Sequence, residues 1–117
     1  MTVRLGTMIG AIRLAPVVEA AVWNGRCWSL AIVGALQEAL SDCNEAFRLE
    51  PNDTAAFASQ GFTYLKTGQW DSAIQDYSSA LQHQLRFASS LYGRGLAKRE
   101  KGDTAAAGKA DMAETSN

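Results

Sequence analysis

The sequence predicts an all-α fold, a stack of antiparallel helix hairpins, and three observations carry the prediction. Sliding the 117-residue chain against itself by 34 positions brings Gly34, Gly68 and Gly102 into line. The same shift aligns Ala39, Ala73 and Ala107, and Ala46 with Ala80. Between the aligned glycines the apolar residues recur at helical spacing. Phe57, Gly61 and Tyr64 fall on one face, and Trp70, Ala73, Ile74, Tyr77, Ala80 and Leu81 form a second stripe. A fixed period near 34 with two amphipathic helices per period marks a repeat array, in which each hairpin buries its apolar face against its neighbours.

Residues 1–19 lie outside this period and form an N-terminal arm. Leu5, Met8, Ile9, Ile12 and Ala15 share one helical face, and Pro16 is expected to break the pattern. Three readings stand side by side: the second helix of a degenerate preceding unit packing on Trp23, a signal peptide with Val18-x-Ala20 as its cleavage site, or an unstructured leader. Arg13 interrupts the apolar run that a signal peptide needs.

The first hairpin spans about 20–53, with Trp23 bulky and Cys27 small on its first helix, a turn at Gly34, and Pro51 stopping the second helix after Leu49. The second spans about 54–87. Asp53 or Thr54 caps its first helix, Gly68 makes the turn, and Asp71 lies in the first turn of its second helix. The third spans about 88–117, with Leu91 bulky, Gly95 small, Gly102 at the turn and Asp103 preceding an Ala-rich last helix.

The segment Phe57-x3-Gly61-x2-Tyr64-x3-Gly68-x4-Ala73-x3-Tyr77-x2-Ala80 resembles the tetratricopeptide repeat signature, and about residues 20–117 share the resemblance. The first unit matches more loosely, through Trp23, Cys27, Leu30, Gly34, Ala39, Cys43, Ala46 and Pro51. Leu85 stands where a proline is expected, and the third unit drifts after Gly102. The resemblance implies a right-handed superhelical α-solenoid whose first helices line a concave groove for a partner peptide or protein.

The groove falls on residues that the packing stripe leaves over: Asn24, Trp28 and Ala31, then Ala58, Phe62 and Leu65, then Tyr92, Leu96 and Arg99, with Lys66 near one end. The row is mostly apolar, as an interaction surface is. Some members of the family clamp a terminal carboxylate with Lys, Asn and Arg. The matching places here hold Asn24, Trp28, Ser59, Ser89 and Gly93, so that specificity is not expected. The expected function is a protein-interaction scaffold. The alternative is a terminal fragment of a longer array that self-associates or joins a larger complex.

Chemistry finds little purchase. Lysine plus arginine number 11 against 12 aspartate plus glutamate, which gives no basic surface for nucleic acid. No apolar run is long enough to span a bilayer. His83 has no Cys, Asp or Glu at ligand spacing, so no metal site is expected. Gly93-x-Gly95 follows no strand, no nucleophile–base set can be assembled, and Asp42 and Asp76 read as repeat-surface residues. No enzyme activity and no cofactor are expected. Cys27 and Cys43 are equidistant from the Gly34–Ala35 turn, so a hairpin sets them opposite each other, as a disulfide or as two buried thiols. A soluble, cytoplasmic protein is the default, and an oxidised pair would imply export.

Overall fold

The computed structural model describes residues 15–83 and 88–102. These form five helices and, among the described residues, no strand: α1 Pro16–Val33, α2 Leu36–Leu49, α3 Thr54–Thr67, α4 Trp70–His83 and α5 Ala88–Lys101. The arm at 1–14, the end of the second repeat at 84–87 and the second helix of the third repeat lie outside the described residues.

The glycine period sets the turns. Gly34, Gly68 and Gly102 have φ of 91°, 77° and 93°, a left-handed conformation that costs glycine little and other residues more. At the first two, paired bonds close the helix end. Gly34 N–H donates to Ala31 O at 3.1 Å and Ala35 N–H to Leu30 O at 2.9 Å; Gly68 and Gln69 repeat this on Leu65 and Tyr64 at 3.2 and 3.0 Å. With only two residues between helices, each chain reversal is tight, and α1 packs on α2 as α3 does on α4.

Two local features add to the expectations. Pro16 opens a helix: it follows an extended Ala15 and takes the first helical position, where a missing N–H costs nothing and the fixed φ suits the helix. The apolar pattern before Ala15 lies outside the described residues. The first helix therefore starts four residues before the boundary drawn at residue 20. Of the two candidate caps for α3, Asp53 serves, its Oδ1 accepting from Ala56 N–H at 3.2 Å.

Beyond the hairpins, α3 packs on both α1 and α2, and α5 on both α3 and α4, whereas α2 and α4 make no contact. The odd-numbered helices thus form a continuous row while the even-numbered ones stand apart behind it. The aligned alanines explain the close approach: Ala39, Ala46, Ala73 and Ala80 are all fully buried. In the second hairpin the space is filled by Tyr77, whose ring lies between two helix-interior glycines. A Cβ on Gly61 would sit 3.1 Å from that ring, and one on Gly93 of α5 would overlap it.

Candidate functional site

The row of odd-numbered helices carries the residues that the sequence assigned to a groove. Trp28 on α1, Phe62 on α3 and Leu96 on α5 are spaced by 34 residues, and all three line one cavity of about 230 Å³. Ala58, Leu65 and Tyr92 complete the walls. Trp28 and Phe62 are in ring contact, centroids 4.6 Å apart, and Trp28 and Tyr92 are 43% and 49% exposed. Three further residues line the cavity: Ser89 and Gly93, which the sequence set only at places matching the family's carboxylate clamp, and Tyr77, which it did not assign to the groove. Their signal was Gly93 itself. A glycine inside a helix weakens it, and this one is not at the small position of the repeat, which Gly95 fills; it makes room for the Tyr77 ring that reaches the cavity.

Other groove assignments fall elsewhere. Ala31 is fully buried, in a cluster with Cys27, Ala39 and Cys43, so it is core and not groove. Asn24 is half-buried and does not line the cavity; its Oδ1 has no hydrogen-bond partner among the described residues. Arg99 is exposed on α5, also outside the cavity lining. Lys66 turns to a structural task. Its Nζ donates to Ala31 O at 2.8 Å and Ile32 O at 3.1 Å, carbonyls of the last turn of α1, and lies 5.5 Å from the Phe62 ring centre. A cation there meets the last-turn carbonyls and the negative end of the helix dipole. No charged side chain lines the cavity, and the lining residues that carry a polar side-chain atom are Ser89, Tyr92, Tyr77 and Trp28.

Behind the Trp28 wall, Cys27 and Cys43 are joined as a disulfide with their Cα atoms 5.3 Å apart. Both residues are fully buried, and Phe62 packs against their cluster. One wall of the cavity is therefore tied to a covalent link between α1 and α2.

The two aspartates repeated at the 34-residue period are not surface residues. Asp42 is only 6% exposed, and its Oδ2 meets Arg26 Nε at 2.9 Å. Burial raises its pKa against the lowering effect of that guanidinium. Asp76 is half-buried, and burial pushes its carboxyl up to about 7. In the orientation that satisfies its neighbours, the Gln60 amide donates to both Asp76 oxygens, at 3.0 and 3.3 Å. The phenols of Tyr64 and Tyr77 titrate above their ordinary range, first through burial and then through the Asp76 charge. The 34-residue period marks equivalent positions in successive hairpins, and here the equivalent position is between helices. His83 is exposed at the end of α4, its Nδ1 3.0 Å from Ser79 O, and its ring lies nearly parallel to that of Phe57.

No described helix is long and apolar enough to cross a membrane. Compared with known protein families and with curated proteins, the chain matches no family model and no curated relative.

Proposed function

We propose that this chain is a protein-interaction scaffold of the tetratricopeptide type, three hairpins in a right-handed solenoid, that holds an apolar side chain of a partner peptide in the cavity between α1, α3 and α5. One observation carries the reading: an uncharged cavity of about 230 Å³ between α1, α3 and α5, with Tyr77 of α4 also in its lining and partly exposed aromatic rings on its rim. Such a pocket recognises by shape and apolar burial, and rim aromatics supply much of the binding energy. The lining offers no ion to pair with, so the anchor is a Leu, Met or Phe class side chain and not a charged terminus.

Phe62 is a poor probe, because it packs against two core clusters and its truncation mixes folding with binding. Tyr92, exposed on α5, separates them. Peptides selected from a random displayed library against the intact chain supply the ligand. Tyr92→Ala is expected to weaken the selected peptides by about 10-fold or more, roughly 1 to 2 kcal/mol, while the melting temperature holds. Peptides that bind Tyr92→Ala at full strength occupy another face, and the proposal then fails.

A further inference from the structure

Nearly all of the large apolar side chains left exposed among the described residues sit on one helix. Val17, Val18, Val22, Trp28, Ile32 and Val33 belong to α1, and Tyr92 on α5 is the only other. At 100° per residue, these positions together with Ala21, Gly25 and Ser29 span an arc of about 160° that runs the length of α1 without a charge. All nine residues are exposed. This face is distinct from the buried one that packs on α2 and α3, and it meets the cavity only at Trp28.

The order along this face is palindromic about Gly25. Val17 and Val33 lie eight residues either side of it, and Val18 and Ile32 seven. Ala21 and Ser29, both small, lie four either side, and Val22 and the much larger Trp28 lie three. Three of the four mirror pairs are matched in size, the fourth sets valine against tryptophan, and the centre is a residue with no side chain. A two-fold axis through position 25, perpendicular to the helix, pairs each residue with its mirror on a second antiparallel α1. Small residues then meet at the crossing, and branched apolar residues meet at both ends. A Cβ on Gly25 would find nothing within 4 Å in this chain, so packing inside the monomer does not account for that glycine, which costs a helix interior stability.

From this symmetry we infer that α1 is a homodimer interface, occupied by the α1 of a second copy packed antiparallel across Gly25. An isologous contact needs a self-complementary patch, and the palindrome supplies one. The five exposed aliphatic side chains, at about 80 to 100 Å² each, present on the order of 400 to 500 Å² per copy. Two copies reach roughly 800 to 1,000 Å², below the ~1,200 Å² of a standard specific interface and in the range of weak, transient contacts, so the dimer is expected to depend on concentration.

Sedimentation equilibrium on the whole chain tests this, with a cross-linking arm. The expected result is a monomer–dimer equilibrium between about 1 and 100 µM. Val22→Glu, a change at an exposed site, should weaken it at least 100-fold with an unchanged circular dichroism spectrum. Gly25→Cys lies on the axis, so mild oxidation should join position 25 of one copy to position 25 of another. Ser41→Cys, exposed on α2, should not cross-link under the same conditions. A chain that stays monomeric at 500 µM overturns the inference, because the face is then covered by residues 1–14 of its own chain, by a different protein, or by nothing. A dimer that survives Val22→Glu, or that does not cross-link through position 25, overturns it as well. The readout needs no peptide ligand, so it stands apart from the fate of the groove.

Discussion

Gly93→Ala is the sharpest single perturbation of the packing, because two effects of opposite sign meet in it. Alanine is the better helix former by about 0.5 to 1 kcal/mol, so propensity alone makes the substitution stabilising. Against this, the new methyl overlaps the Tyr77 ring. That ring is 4% exposed and is held close to the α3 backbone as well, where a Cβ on Gly61 would lie 3.1 Å from it, so it has little room to yield. Overpacking of this kind costs about 1 to 3 kcal/mol, so steric cost outweighs propensity and the net loss is about 1 to 2 kcal/mol. Gly25→Ala is the control: it is in a helix interior too, with open space around it, and it should gain about 0.5 to 1 kcal/mol. Urea unfolding followed by circular dichroism, in dilute solution where copies do not associate, reads both, with the slope m unchanged. In a Tyr77→Leu background the flat ring is gone, and Gly93→Ala should become neutral or favourable. If Gly93→Ala stabilises the parent protein as much as Gly25→Ala does, the Tyr77 ring is not seated between α3 and α5 and the account of the second hairpin fails.

Two further outcomes follow from the buried groups. Asp76 binds its proton more tightly in the folded chain, with the carboxyl at about 7 against an ordinary 3.8, so stability is fullest below pH 4, falls as pH rises from about 4 to 7, and is level above. Three units correspond to about 4 kcal/mol as a ceiling; charge-assisted donation by Gln60 lowers this, and Asp76→Asn should gain about 1 to 3 kcal/mol at pH 8 and flatten the pH dependence. A pH–stability profile identical in Asp76→Asn and the parent refutes it. For the disulfide, a phosphine reductant should lower the melting temperature, and Cys27→Ser should melt like the reduced protein. A closed loop of 16 residues is worth roughly 3 kcal/mol in the chain-entropy account. Titration of two free thiols in denatured, unreduced protein removes the link.

Most of the fold was legible because its signals are local. A left-handed glycine, an aspartate before a helix and a proline after one act within a few residues, and the 34-residue period places them. The start of α1 was placed four residues late, at 20 and not at Pro16, because proline both breaks and opens helices and only its second role marks a helix start. Of the residues assigned to a groove, Trp28, Phe62, Leu65, Tyr92 and Leu96 line the cavity, since helical spacing says which residues the packing stripe leaves over. Depth in the structure was not legible. Ala31, Asp42 and Asp76 are covered by a neighbouring helix, and the pattern along one helix does not reveal how far its neighbour extends over it. Lys66 was assigned by charge alone, while its partners, the last carbonyls of α1, lie more than 30 residues away in sequence.

The first hairpin inverts the usual distribution of side chains, and this links the disulfide to both proposed surfaces. The residues of α1 that are buried are Ala20, Cys27 and Ala31, all small, while its large apolar side chains face outward or lie only half-covered. Burial of alanine contributes little per residue, since the hydrophobic term follows area. What large residues do for the second hairpin through Tyr77, the Cys27–Cys43 link and the Lys66 cap do for the first. A helix fastened by a covalent bond and a cap can spare its bulky side chains for contacts outside the chain. Trp28 makes this concrete: one residue from Cys27, its ring meets that of Phe62 at a tilt in the cavity and stands at the edge of the palindromic face, paired by symmetry with Val22. A second copy on α1 would therefore cover part of the Trp28 ring, and dimer and groove would read each other through that one side chain.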